Sequence, residues 1–382
     1  MQNITLIIVL GYYRSGASYI SELIAANQEV LYYYEPLQFL SIVKPNTNSY
    51  DKWRYLKGLL SCNYIENKDV RDYISEDGNL SPTTVTFKQR SSFFNRDDNK
   101  EIVDENDVAK AVNSKLDYNY NNKMEKGKED YIARMENKCK TYQTRMAKVI
   151  RFSIKDLTHS RKKEESEYRL ERSVKFDFGA LNIIHVVRDP RGIVASRQKI
   201  VIEHDQESFD KKDLDILKIC KFLYTDIKEA LNFFGWKKTY QHNNKNVTLS
   251  SLDYLIVRYE DAAEFPFQSL LTIYKFLSLR LYQNVLNFVH LYTSNANMSP
   301  YSTMKISKEV FKSWIYDLNY DTIINIEKGC GLYMEFLGYN RAKSFNHLHS
   351  PLPITKLYSY TPFYRKFYQN DSNVWMQQFY NI

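Results

Sequence analysis

The sequence predicts an α/β protein built on a central parallel β-sheet flanked by helices. Ile4 to Leu10 (ITLIIVL), a continuous β-branched apolar run, and Leu181 to Val187 (LNIIHVV), a second strong strand pattern, read as buried strands. Each is followed by a tight turn and a helical pattern, the strand–turn–helix unit of α/β sheets.

The elements follow in order. After Ile4–Leu10, residues Gly11 to Gly16 form a turn. A helix comes next, with Ile20, Leu23 and Ile24 on one face at i, i+3, i+4 spacing. Val30 to Tyr34 is a second short strand, stopped by Pro36, which completes a βαβ opening. Lys52 to Lys140 is polar and rich in Asn, Asp and Lys, and predicts helices joined by exposed loops. Order resumes at Ala147 to Ile154, followed by a charged helix around Arg161 to Ser173. Beyond Leu181–Val187, Arg188 to Pro190 turns the chain and a helix runs from Ile193. Tyr254 to Val257 is a further strand and Phe267 to Leu277 a further helix. After Tyr339 the chain carries Pro351, Pro353, Pro362 and many aromatics, and reads as an irregular extension. The expected organisation is one domain over residues 4–340 and an extension over 341–382.

Composition narrows the function classes. Of 382 residues, 43% are hydrophobic, enough for a sizeable core, and 26% are charged, which excludes a membrane bundle. The net charge of +8 suits anionic partners such as nucleotides, sulfated glycans, nucleic acid or acidic lipid, and equally suits an uncommitted basic surface. No apolar run reaches the ~20 residues of a membrane span. Met1 to Leu10 is too short and lacks the basic start of a signal peptide. Two readings stay open: a soluble chain as written, or one whose upstream anchor lies outside this sequence. Cys62, Cys139, Cys220 and Cys330 include no CxxC pair, so zinc is not expected. Their even number permits two disulfides or four buried thiols. Sequons at Asn246, Asn297 and Asn370 suit a lumenal protein, yet arise by chance in Asn-rich sequence; the one at Asn3 adjoins a buried strand.

Gly11-Tyr12-Tyr13-Arg14-Ser15-Gly16-Ala17-Ser18 lies between a buried strand and a helix, where backbone N–H groups point at an anion. The GxxxxG spacing is that of a P-loop, but Ala17 stands where a nucleoside-triphosphate loop has its lysine, and the charge sits at Arg14 instead. That argues for a phosphate-like donor other than ATP or GTP. The stretch Arg14 to Leu37 (RSGASYISELIAANQEVLYYYEPL) resembles the 5′-phosphosulfate-binding motif of the Golgi carbohydrate sulfotransferases. Arg14, Ser15, Gly16, Ser18 and Glu35-Pro36-Leu37 match it; Ala17 departs, standing where a serine is common.

His185 to Gln198 (HVVRDPRGIVASRQ) repeats the strand–turn–helix order. Arg188 can donate a bidentate pair to phosphate, and Ser196 can add a hydroxyl. From the residues alone, Arg188-Asp189-Pro190-Arg191 reads also as a salt-bridged turn. The segment resembles the 3′-phosphate-binding motif of the same family, most closely its galactose or N-acetylglucosamine 6-O group. Lys148-Val149-Ile150-Arg151, Val257 to Asp261, Trp314, Cys330 and Leu337-Gly338-Tyr339 resemble further family features, so the resemblance runs from about Leu6 to Tyr339. Where the family often carries Arg-Asn-Ser near the donor, this chain has Lys305-Ile306-Ser307, and Lys305 keeps a charge without the arginine fork.

The resemblance implies the P-loop-like sulfotransferase fold and transfer of a sulfuryl group from 3′-phosphoadenosine 5′-phosphosulfate (PAPS) to a hydroxyl, 6-O of Gal or GlcNAc, in a glycan. It implies donor contacts from Tyr13, Arg14, Ser15, Gly16, Ala17, Ser18, Tyr19, Arg188, Ser196 and Lys305, with Arg14 stabilising the leaving group and Glu35 as the general base. No metal is expected, because the sulfonate carries a single negative charge. A glycan is the implied partner, a homodimer is compatible with the reading, and nucleic acid is not expected, since no RRM, KH, zinc-finger or helix-turn-helix signature occurs. The family implies the Golgi lumen and places cysteines at Cys220 and Cys330, which are expected to pair; Cys62 and Cys139, one on each side of the polar region, would be the other pair. The rival readings are a catalytically inactive nucleotide- or glycan-binding relative and a P-loop kinase or NTPase; the latter lacks its lysine at Ala17.

Overall fold

The computed structural model describes residues 4–75, 128–167, 180–203, 216–234, 239–242, 245–248, 252–294 and 307–342. The elements are β1 (Thr5–Gly11), α1 (Ala17–Ala25), β2 (Val30–Tyr34), α2 (Leu37–Val43), α3 (Ser49–Leu60), α4 (Lys68–Ser75) and α5 (Lys128–Thr141). Then come β3 (Thr144–Val149), α6 (Ile154–Glu167), β4 (Ala180–Val187), α7 (Pro190–Glu203) and α8 (Ile216–Phe234). The rest are β5 (Thr239–His242), β6 (Lys245–Thr248), β7 (Leu252–Arg258), α9 (Tyr259–Glu264), α10 (Pro266–Leu277), α11 (Gln283–Ser294), α12 (Ser307–Val310), α13 (Trp314–Asp317), α14 (Tyr320–Gly329) and α15 (Gly331–Leu337). They divide into two compact units: Met1–Val187 with Asp226–Val257 and Leu281–Leu291, and Arg188–Thr225 with Arg258–Arg280 and Tyr292–Ile382.

The first unit is organised by a five-stranded sheet in the order β2-β3-β1-β4-β7. β1 pairs parallel with β3 and β4, and β2 pairs parallel with β3. Ile7, Ile8 and Val9 of β1 and Ile183 and Ile184 of β4 are buried, as strands covered on both faces require. The chain leaves β1 for β2, returns to fill the gap with β3, then crosses to β4 on the far side of β1. Such a reversal places a ligand crevice at the carboxyl ends of the strands around β1. In α1, Ile20, Leu23 and Ile24 form the buried stripe that the spacing predicts.

Two boundaries differ from expectation. β3 begins at Thr144, ahead of Ala147, because Arg145 and Lys148 are strand residues whose polar ends are satisfied inside the fold. Arg145 donates to the carbonyls of Leu60 (3.1 Å) and Tyr142 (3.0 Å). α6 begins at Ile154, ahead of Arg161, because Ser153 and Asp156 form a capping box: each side chain accepts the other's backbone N–H at 3.0 Å. The antiparallel β5–β6 pair was not anticipated. A disulfide joins Cys62, after α3, to Cys139 in α5. Most of the polar stretch between them and the expected extension past Ala342 lie outside the described residues.

The second unit is helical among its described residues, and Pro190 and Pro266 open α7 and α10 at positions where a missing N–H is harmless. Its centre is a buried ion network. Arg191, with no exposed side-chain surface, donates to Asp189 (2.6–3.2 Å), to Glu327 (2.6 Å) and to the Asn340 carbonyl (3.1 Å), and lies 4.2 Å over the Trp314 ring. A second disulfide joins Cys220 in α8 to Cys330 between α14 and α15. Both pairings are the expected ones.

Candidate active site

At the end of β1 the backbone folds back on itself. A Cβ at Gly11 would sit 2.5 Å from both the Ala17 Cβ and the Ser15 Oγ, so only glycine permits the turn. The Tyr12 N–H donates to Ser15 Oγ (3.1 Å), and the Ser15 N–H donates to the Tyr12 carbonyl (2.8 Å). Ser15 thus closes the loop from inside. Arg14 (φ 69°) and Gly16 (φ 89°) both adopt the left-handed conformation. For Arg14 this costs about 1 kcal/mol, strain that persists only where the surroundings impose it. Gly16 caps α1 without a side-chain hydrogen bond, and the first-turn amides of α1 have no acceptor within the helix ladder. Tyr13, Arg14 and Ser18 are partly exposed, whereas Ser15, Ala17 and Tyr19 are buried. Ala17 packs against the strand end, at the position where a nucleotide loop would extend its lysine.

The loop is anchored from behind. The Tyr12 hydroxyl donates to Asp226, whose carboxylate also accepts the Ile154 and Lys155 N–H groups (both 3.1 Å) at the start of α6. Burial raises the Asp226 pKa. The Tyr12 ring lies 5.6 Å from that of His185, whose Nδ1 is 2.7 Å from the Tyr254 hydroxyl. Burial drives the His185 pKa down to about 3, so the ring is neutral.

Glu35 follows β2 directly. It is a non-glycine residue with φ 48°, and its N–H extends the β2–β3 ladder by donating to the Lys148 carbonyl (3.0 Å). The side chain is buried. Lys148 Nζ donates to Oε1, the Ile150 N–H donates to Oε2 (3.3 Å), and Arg151 Nη1 lies 3.5 Å from Oε2. Lys148 also sits 4.6 Å over the Tyr34 ring, and the Tyr34 hydroxyl is 3.1 Å from Ser18 Oγ. Loop and carboxylate therefore form one connected cluster. Sequence reasoning marked Glu35 and Ser18 but not Tyr34, and gave Lys148 no role. The Lys-x-x-Arg spacing after a strand was the available signal.

In the second unit, Arg188 is buried and stacks 4.5 Å over the Tyr259 ring, with its carbonyl accepting the Tyr333 hydroxyl (3.0 Å). A Cβ at position 192 would lie 3.1 Å from Arg188 Nε, so Gly192 makes room for the guanidinium. Ser196 lies further along α7 and is partly exposed. Arg191, sealed in its network, is scaffold. Glu260 accepts the Asp189 N–H (2.9 Å) and the Tyr339 hydroxyl (2.9 Å). Lys305 lies outside the described residues. Among the described residues no group of three or more His, Cys, Asp or Glu is arranged to hold a metal ion, and no helix is long and apolar enough to cross a membrane.

Residues 5–338 match the family described as "Sulfotransferase domain". The chain is similar to mouse (Mus musculus) Carbohydrate sulfotransferase 4, 22% identical over 349 residues that span 88% of this chain and 82% of that protein. Mus musculus Carbohydrate sulfotransferase 1 is 26% identical over 187 residues, 45% of this chain and 42% of that protein. Homo sapiens Carbohydrate sulfotransferase 3 is 25% identical over 177 residues, 43% and 34% respectively. The match thus spans less than half the length of the last two. Among solved structures, the sulfotransferase domain from the Synechococcus PCC 7002 olefin synthase aligns with a TM-score of 0.40 at 16% identity, covering 86% of this chain and 95% of that one. Mouse sulfotransferase SULT7A1 complexed with PAP aligns with a TM-score of 0.37 at 13% identity, covering 87% and 84%.

Proposed function

The chain belongs to the sulfotransferase domain family, and on that premise we propose that it transfers a sulfuryl group from PAPS to a carbohydrate hydroxyl, at the 6-O position of Gal or GlcNAc in a glycan. The observation that carries the proposal is the cluster at the end of β1 and β2: a strained anion loop joined through Ser18 and Tyr34 to a carboxylate held by two cations.

In this reading the first-turn amides of α1, with Tyr13, Arg14 and Ser18 at the loop surface, hold the 5′-phosphosulfate. Arg188 and Ser196 take the 3′-phosphate, the group that sets PAPS apart from ATP, and Lys305 adds charge. Ser15, Gly16, Ala17 and Tyr19 support the donor site through the loop backbone and its packing. The reaction passes the sulfuryl group in line. The acceptor oxygen forms a bond to sulfur while the bond from sulfur to the phosphate oxygen breaks. The acceptor proton goes to Glu35, and the electron pair leaves with 3′-phosphoadenosine 5′-phosphate. Arg14 and the loop amides stabilise that leaving oxygen. The two disulfides support an oxidising setting such as the Golgi lumen. The test is to incubate the protein with sulfate-labelled PAPS and a panel of Gal- and GlcNAc-bearing glycans. Label is expected on the 6-O position of at least one. Magnesium-dependent hydrolysis of ATP with no sulfate transfer would instead revive the kinase reading.

A further inference from the structure

We propose that Lys148 is a positioning residue for Glu35, and that Tyr34 ties this pair to the anion loop; the inference rests on the reading of Glu35 as the base. Lys148 lies inside the sheet, level with Val9 of β1 on one side and Tyr34 of β2 on the other. Only 4% of it is exposed. A lysine so placed needs a counter-charge, and a hydrophobic residue of similar length would fill the strand without one. What the lysine adds is direction. Its backbone carbonyl receives the Glu35 N–H and its ammonium donates to Glu35 Oε1, so one residue fixes both ends of the glutamate.

The two carboxylate oxygens are thereby made unequal. Oε1 faces the buried ammonium. Oε2 meets the Ile150 N–H and lies 3.5 Å from Arg151 Nη1, on a side chain that is 36% exposed, whereas Lys148 is almost wholly buried. Clamping Oε1 through the strong ammonium bond leaves Oε2 with the longer, weaker contacts, the oxygen better placed to take up a proton. The Tyr34 ring, under the ammonium, carries its hydroxyl to Ser18 of the loop. Tyr34 therefore shares a contact with both ends of the cluster, and the base is held in register with the loop that takes the donor.

The test is a double-mutant cycle in turnover, using Glu35→Gln, Lys148→Met and the pair, with PAPS and the best acceptor of the glycan panel. Affinity for 3′-phosphoadenosine 5′-phosphate, measured by calorimetry, reports on the fold and the donor site. Lys148→Met is expected to lower kcat about 10–100-fold with donor affinity within about twofold of the parent. In the Glu35→Gln background the same change is expected to lower kcat less than about threefold, because a residue that acts through Glu35 has nothing left to position. Lys148→Arg, which keeps the charge, is expected to recover most of the loss. Tyr34→Phe keeps the ring beneath the ammonium but not the Ser18 contact, and is expected to fall between. If Lys148→Met leaves Glu35 uncompensated and fails to fold, Lys148→Gln retains a donor to Oε1 and replaces it in the cycle. Equal losses in both backgrounds, or a donor affinity that falls in step with kcat, would overturn the positioning role alone. Full turnover by Glu35→Gln would overturn the base reading and the positioning role with it.

Discussion

Glu35 and Glu260 both stand just past the end of a strand, both are almost wholly buried, and they are held in opposite ways. Glu35 faces cations: Lys148 on one oxygen, Arg151 near the other. Glu260 bonds neutral donors, the Asp189 N–H and the Tyr339 hydroxyl, with the opposing charges of Asp189 and Arg188 nearby. Burial first, and then Asp189, push the Glu260 pKa up to about 7. The difference separates two uses of a buried acid. A carboxylate with fixed cations, tied through Tyr34 to the loop at the end of β1, is set up for the chemistry proposed at that loop. A carboxylate bridging a turn and a tyrosine is set up to hold elements of its own unit together.

The sharpest way to break this contrast is at Glu35. Glu35→Gln has nearly the same shape, and should lower turnover by about 10²–10⁴-fold, the usual contribution of a positioned base. Donor binding by calorimetry should barely change. Arg14→Ala and Arg188→Ala should behave differently, each weakening donor affinity together with rate, because each removes a charge assigned to the donor. A Glu35→Gln enzyme that loses donor affinity and rate equally would place Glu35 with the arginines and end the comparison.

Much of this site was legible from the sequence because its frame is written in apolar runs. β1 and β4 announce themselves as β-branched stretches, β2 as a short apolar and aromatic run stopped by Pro36, and the Gly11–Ser18 turn by its glycines. Glu35 is legible because Pro36 ends a strand beside it. β3 was harder: Thr144, Arg145 and Lys148 interrupt the apolar pattern, and only the fold reveals that two of them satisfy their charges or donors internally. The start of α6 was readable in principle from Ser153-x-x-Asp156, a capping box. Tyr34 could not be assigned from sequence, since its role depends on lying between Ser18 and Lys148, residues far apart along the chain. Arg188 and Arg191 look equivalent in the run Arg-Asp-Pro-Arg, and only burial against Asp189 and Glu327 separates scaffold from candidate ligand.

That last distinction extends the comparison to stability. Arg191 is fully buried between two carboxylates, so Arg191→Met would leave Asp189 and Glu327 without their cation. Removing one partner of a buried ionic network typically costs about 3–5 kcal/mol. Chemical denaturation should show a loss of this size, and Arg188→Ala should show much less. Similar losses for both variants would mean that Arg188 is scaffold as well.

The smallest effect tests Glu260 through pH. Its ordinary pKa of 4.5 is raised to about 7 in the fold. Between these values the folded protein binds this proton more tightly than the unfolded chain does. The stability it contributes is therefore fully present below 4.5, declines as pH rises through the window, and is lost above about 7. Glu260→Gln removes the ionisation while its amide can still accept from the Asp189 N–H and donate to the Tyr339 oxygen. Compared with the parent, the variant should gain stability steadily from pH 4.5 to pH 7 and then run parallel. Denaturation curves of both proteins across that range give the difference directly, and groups common to both cancel. A difference that stays flat with pH would mean that Glu260 is ionised throughout, held by Arg188 more strongly than burial and Asp189 oppose it. The contrast between the two strand-end acids would then rest on their bonded partners alone, Lys148 and Arg151 at Glu35 against the Asp189 N–H and the Tyr339 hydroxyl at Glu260.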